Sequence, residues 1–268
     1  MIDALLNFDF IRYSLISGLL IGFIAPLIGA FIVVRRLSLI ADALSHVTLG
    51  GISFGMFLLT IIPVFSVINP MWFGILFAVI GALLIEKLRT SFSNYQEIAI
   101  PIIMSAGIAL SAIFISLADG FNQEIVGLLF GSISAVNISD LTTIIIITII
   151  VLIFIVLFYK ELFILSFDEE YSKVIGIPKW IQFLFIVIVA MVISASMRVV
   201  GILLVSALIT LPIAISMRIT KGFKQLIALS VILGELSVIL GLIIAFYMNI
   251  SPGGVIVVLL VLMLILTM

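Results

Sequence analysis

The chain of 268 residues has no cysteine and a single histidine, His46. The first absence excludes a disulfide framework and any thiolate metal site. The second leaves no HExxH motif, and with one histidine the ligands and catalytic acid of an intramembrane metalloprotease cannot be assembled. Charge is scarce as well: Asp, Glu, Lys and Arg make up 9% of the chain, against about 25% in soluble domains. No glycine-rich loop ends in Lys-Ser or Lys-Thr, so the chain does not bind ATP by that device. No Ser/His/Asp set lies within the apolar runs, and nothing marks a nucleic-acid binder. Asp3 and Asp9 stand where a cleaved signal peptide would carry basic residues, and no small-residue cleavage site follows.

What is abundant is hydrocarbon. Hydrophobic residues make up 65% of the chain and mean hydropathy is +1.56. Apolar runs near 20 residues recur, which identifies an all-α polytopic integral membrane protein; the ~10-residue alternating segments of a β-barrel are missing. The runs are Phe10–Val34, Leu37–Ile62, Met71–Ile85, Ile98–Ala118, Leu141–Tyr159, Trp180–Met197, Val199–Met217, Phe223–Tyr247 and Val255–Met268. They predict nine membrane helices, or eight if the sixth and seventh runs form one hairpin of partial helices around Arg198. Ile125–Ala135 is too short to span and reads as re-entrant or interfacial. Residues 1–268 read as a single transmembrane domain, without linker or internal repeat.

With the N-terminus outside, nine spans place Arg35, Arg36, Lys87, Arg89, Lys160, Lys173, Lys179, Arg218, Lys221 and Lys224 inside. Only Arg12 and Arg198 fall outside, so ten of the twelve basic residues share one face, the positive-inside pattern. The C-terminus then lies in the cytoplasm.

The informative stretch is Ser38 to Gly55, SLIADALSHVTLGGISFG. Asp42 and His46 are four residues apart. On a helix they share a face, with Cβ atoms ~5–6 Å apart. Ionisable groups within or at the edge of the hydrocarbon are rare and usually functional. A carboxylate and a neutral imidazole suit zinc, manganese or ferrous iron. Two ligands do not close a zinc site; a symmetric dimer would bring four to one axis, and incomplete coordination suits an ion that must leave again. The other reading makes Asp42 a helix cap and His46 a buried, hydrogen-bonded residue. Gly50, Gly51 and Gly55 permit close backbone approach and favour a packed helix.

A second stretch, Ser166 to Pro178, SFDEEYSKVIGIP, predicts a short exposed helix. Asp168 caps it, Glu169 and Glu170 occupy its first turn, Lys173 its last, and Gly176 and Pro178 stop it. Tyr171, Val174 and Ile175 form a small apolar face suited to a partner protein; a plain surface connector is the alternative. Glu235 lies within an apolar run, where a carboxylate is costly; it is a pathway or proton-linked candidate, or a structural hydrogen bond to a neighbouring helix. Arg198 is a topology or gate residue at the outer turn, and Pro212 should kink its span. Asp119, Glu124 and Asp140 make the outer loops acidic, in keeping with solvated connectors.

The segments RRLSLIADALSHVTLGG, LSFDEEYSKVIGI and RVVGILLVSALITLPIAISMR together resemble the membrane permease of bacterial metal-ion ABC transporters, the ABC-3 (zinc/manganese/iron) family, over essentially the whole chain. The resemblance implies a type II ABC importer-like permease of the bacterial inner membrane. It implies a homodimer with cytoplasmic ATPase subunits and an extracytoplasmic metal-binding protein, surrounded by membrane lipid. The chain itself would be no enzyme and hold no cofactor; the divalent metal is its cargo. Residues 166–178 would be the coupling helix, and Asp42 and His46 the family's Asp-x-x-x-His in the metal path. Many manganese members look like SHAVLPG where this chain has SHVTLGG. Gly50 in place of proline looks more like the zinc branch, with manganese or iron as the alternative. Glu235 has no expected counterpart in the manganese branch. A secondary, ion-coupled transporter using Glu235 is the rival class.

Overall fold

In a computed structural model, residues 8–62, 69–92, 94–118, 123–132 and 135–268 are described, and among them all regular structure is helical. The helices are α1 (Asp9–Val34), α2 (Leu39–Ile61), α3 (Met71–Ser91), α4 (Ala99–Leu117, entered through a 3₁₀ turn at Gln96–Ile98), α5 (Gln123–Phe130), α6 (Ile138–Leu157), α7 (Tyr159–Phe167), α8 (Glu169–Ile175), α9 (Lys179–Val200), α10 (Ile202–Ile219), α11 (Phe223–Met248) and α12 (Pro252–Leu266). Eight are long and apolar enough to cross a membrane. α12 has 15 residues, about 22 Å of helix, somewhat short of the ~30 Å hydrocarbon core. The expected nine runs are thus eight full-length spans and one shorter apolar helix.

α1 and α9 are the most buried spans and form the centre. α1 packs on α6, α9, α10 and α11. The outward faces of α4, α6 and α12 carry exposed residues such as Ile113, Ile146, Ile153 and Leu262, the apolar surface a bilayer requires. Several hydroxyls within the spans return to their own backbone, as Thr48 to Leu44 O at 2.7 Å and Ser196 to Val192 O at 2.7 Å, which satisfies them without water; those of Ser14, Ser17, Ser53 and Ser194 are buried without a partner.

The basic helix ends gather at one end of the bundle. Arg35 meets Glu169 at 3.8 Å, Gln182 donates to Glu86 at 2.8 Å, and Arg218 Nε donates to Thr267 O at 3.0 Å. At the opposite end Ser251 donates to Phe130 O at 2.6 Å.

Three local expectations are corrected. The break between the sixth and seventh runs falls at Gly201, with φ 90° and ψ 150°, a region essentially reserved for glycine; the helix runs on through Arg198, whose side chain gives the backbone no reason to turn. The fifth run, Leu141–Tyr159, ends earlier than expected: its helix stops at Leu157, and a separate helix, α7, begins at Tyr159 with Leu162 and Leu165 buried. Asp140 is no solvated loop residue: it is fully buried and closes a capping box with Asn137, its backbone N–H donating to Asn137 Oδ1 at 2.9 Å. Asp119 and the side chain of Glu124 lie outside the described residues.

Candidate functional site

α2 is wedged between α3 and α4, and its far side meets α9 and α10. Small residues allow the wedge. A Cβ on Gly107 of α4 would lie 2.7 Å from the Val47 amide nitrogen and 3.0 Å from the His46 carbonyl carbon. On α3, a Cβ on Gly74 would lie 2.6 Å from the Ile52 side chain. The Ser111 hydroxyl lies 3.2 Å from His46 O and 2.7 Å from Gly107 O, so it bridges the two helices across their closest approach.

On this clamped helix Ala41, Ala43, Leu44, Ser45 and Val47 are all buried, while Asp42 and His46 are half-buried on one strip. Asp42 does not cap the helix: Ser38 is the N-cap residue, and Asp42 stands one turn in. Neither side chain makes a hydrogen bond or ion pair among the described residues. A polar pair presented on a rigid wall with no partner of its own can accept a cation. Among the described residues no three His, Cys, Asp or Glu side chains gather to hold a metal ion. Asp42 and His46 therefore offer two ligands, and any further ligand must come from elsewhere.

The structure does not bring Glu235 to this pair. Glu235 is half-buried at the middle of α11, against Gly22 of α1, and has no hydrogen bond or ion pair among the described residues. Arg198 lies in the last turn of α9, with Nε 3.8 Å from Asp140 Oδ1 and both side chains buried. This junction escaped the sequence reading. Its one legible signal was Asn137-x-x-Asp140, a capping-box spacing. Around it, Ser132 N–H donates to Arg198 O at 3.4 Å, and Gly131 and Gly201 interlock so closely that a Cβ on Gly201 would sit 2.5 Å from the Gly131 nitrogen.

The loop helix is built as its residues dictate. Asp168 accepts from the Tyr171 N–H at 2.8 Å. Gly176 is left-handed at φ 83°, its N–H donates to Lys173 O at 3.2 Å, and Ile177 N–H donates to Ser172 O at 3.0 Å, which closes the C-terminus. Tyr171 and Ile175 are about half exposed and Val174 is 83% exposed. An apolar face this open next to a membrane bundle is an uncovered contact surface. Glu169 ties it to the end of α1 through Arg35. Burial lowers the Arg35 pKa below the ordinary arginine value, and Glu169 opposes that shift.

Eight helices of spanning length and apolar composition in one bundle make this a multi-pass membrane protein. The chain belongs to the ABC 3 transport family, whose description matches residues 7–268. It is 31% identical over 252 residues to a Treponema pallidum (strain Nichols) protein named "Probable metal transport system membrane protein", covering 93% of this chain and 91% of that one. It is 30% identical over 254 residues to the manganese transport system membrane protein MntC of Listeria monocytogenes (serovar 1/2a, strain ATCC BAA-679 / EGD-e), covering 94% and 88%. The solved structure of PsaBC from Streptococcus pneumoniae in complex with Fab is similar at a TM-score of 0.85 and 30% identity, over 99% of this chain and 93% of that one.

Proposed function

We propose that this chain is the permease subunit of an ATP-driven importer of divalent transition-metal ions. It works as a homodimer, with ATP hydrolysis in separate cytoplasmic subunits and an extracytoplasmic protein delivering the ion. The observation that carries the reading is the Asp42–His46 pair, without a hydrogen-bond or ion-pair partner among the described residues and half-buried on a helix clamped from both sides. Two copies of the pair at a dimer axis would supply four ligands, enough to strip water from the ion and few enough in kind to release it. The exposed Tyr171–Val174–Ile175 face seats the ATPase, with Asp168, Glu169, Glu170 and Gly176 shaping the helix that carries it. Tilting α8 would pull on α1 through Glu169 and Arg35. The basic residues at the α8 end support a cytoplasmic side for that end, for the ATPase and for the C-terminus.

Two cargos are supported. Manganese is named in the Listeria relative. Zinc rests on the SHVTLGG segment; Gly50 there lies against α4, where a Cβ would meet Gly107 O and Ser111 Oγ at 3.4 Å, an ordinary contact distance, so packing alone does not demand glycine. The deciding experiment is uptake in cells depleted of one metal at a time, comparing the intact chain with His46→Ala. A loss confined to manganese or to zinc names the cargo. Unchanged uptake of both would remove the pair from the path.

A further inference from the structure

At the basic end of the bundle α1 stops at Arg35-Arg36. The chain turns with Arg36 N–H donating to Val33 O at 2.9 Å and Leu37 N–H to Ile32 O at 3.0 Å. That closure requires a left-handed residue, and Arg36 supplies it at φ 59°, where glycine is the usual choice and a side chain costs about 1–2 kcal/mol. The turn therefore does not explain the arginine. Its neighbour Arg35 has a side chain only 4% exposed, and its Nη2 has no hydrogen-bond partner. The nearest carboxylate, Glu169, stands 3.8 Å away and is shared with Lys173 at 3.6 Å. A buried guanidinium fork with donors unfilled matches a tetrahedral oxyanion.

These cations open on a cleft of about 830 Å³ between the end of α1, the α7–α8 corner and the α10–α11 turn. Arg35, Arg36 and Lys221 line it against the single carboxylate Glu169, and apart from Ser166 and Thr220 the remaining side chains are apolar, including Leu165, Phe167 and Phe223. A second cleft of about 540 Å³ shares Lys221 and Phe223 and adds Lys224, Tyr159 and Phe163. Phe223 stands at the junction, its ring 5.1 Å from Phe31, 5.3 Å from Phe163 and 5.5 Å from Phe167 between centroids. The floor is thus a rigid aromatic cluster beneath a cationic rim.

We propose that this cleft holds the phosphate of an anionic phospholipid on Arg35, Arg36 and Lys221, with an acyl chain along Phe163, Phe167 and Phe223. The amphipathic lining selects this occupant. A free phosphate would leave the aromatic wall without a partner, whereas a phospholipid brings an anion and a hydrocarbon chain in one molecule. Basic pockets between membrane helices at headgroup depth bind lipids of this kind. Phosphate at Arg35 would displace Glu169 and loosen the tie between α1 and α8.

The test uses the purified full chain in nanodiscs of phosphatidylcholine with or without phosphatidylglycerol, read by thermal unfolding and by lipid retained on native mass spectrometry. Phosphatidylglycerol is expected to be retained at least tenfold over phosphatidylcholine and to raise the unfolding midpoint. In Arg36→Gln/Lys221→Gln the preference should fall to within twofold, with the midpoint in pure phosphatidylcholine unchanged. If that variant does not fold, Arg35→Lys, which keeps charge and loses the fork, should still lower the preference severalfold. A preference retained in every variant that folds overturns the proposal. So does displacement of the lipid by millimolar inorganic phosphate, which would make this a free-anion site. Loss of a co-expressed ATPase subunit from the double variant, with no lipid preference in the intact chain, would assign the cleft to a protein partner and overturn it too.

Discussion

The Ser111 hydroxyl of α4 lies 3.2 Å from the His46 carbonyl oxygen of α2, so the backbone of the only histidine is held by a neighbouring helix while its imidazole has no hydrogen-bond partner among the described residues. Position is fixed and ligand capacity is kept free. Gly107, one turn before Ser111, lets the two backbones come close enough for this contact.

Gly107→Leu should therefore separate α2 from α4. Overpacking of this kind costs about 1–3 kcal/mol, and here the obstructing atoms are backbone, which cannot rotate away. The expected result is a lower unfolding midpoint in detergent and loss of metal uptake. Ser111→Ala should cost about 1 kcal/mol and leave most uptake intact. Equal damage from the two substitutions would mean that the clamp is not steric.

The Asp140–Arg198 pair predicts a different pattern. Both side chains are buried 3.8 Å apart, and breaking a buried ion pair by removing one member costs about 3–5 kcal/mol. Asp140→Asn should lose capping as well as charge, and Arg198→Gln charge alone. The double variant should recover part of the loss. A double-mutant cycle on thermal unfolding checks this; purely additive losses would show that the pair is not coupled.

For the loop helix, Val174→Asp and Ile175→Arg should abolish co-purification with the ATPase subunit while leaving expression and the unfolding midpoint unchanged, because both side chains are exposed. Gly176→Val should act through the helix instead: φ 83° is strained for a β-branched residue, so the C-terminal closure would fray. Import at full rate with Ile175→Arg would remove α8 from the coupling role.

Glu235 separates the ATP-driven reading from the ion-coupled one. Among the described residues it joins no group of three or more His, Cys, Asp or Glu side chains. Glu235→Gln, an uncharged isostere, should leave uptake within twofold and insensitive to a protonophore while ATP is maintained. A collapse of uptake on dissipating the proton gradient, abolished by the same substitution, would favour the secondary transporter.

Local chemistry made much of this legible in the chain. Hydrocarbon-length apolar runs and the bias of Lys and Arg gave the spans and an expected orientation, because each is a property of a segment and its solvent. Asp168, Lys173 and Gly176 declared a short capped helix, because capping acts within a few residues. Asp42 and His46 declared a shared face, because helical periodicity is local. Other features became visible only with the tertiary structure. Asp140 looked like a loop carboxylate until the fold brought Arg198 beside it, 58 positions on. Glu235 could not be separated from the Asp42–His46 pair until the fold put it on α11 against α1. The break at Gly201, the clamp of Gly107 and Ser111 on α2, and the cationic cleft above Phe223 all arise where elements distant in sequence meet. Their energies depend on close packing and burial, which have magnitude only once the partner helix is in place.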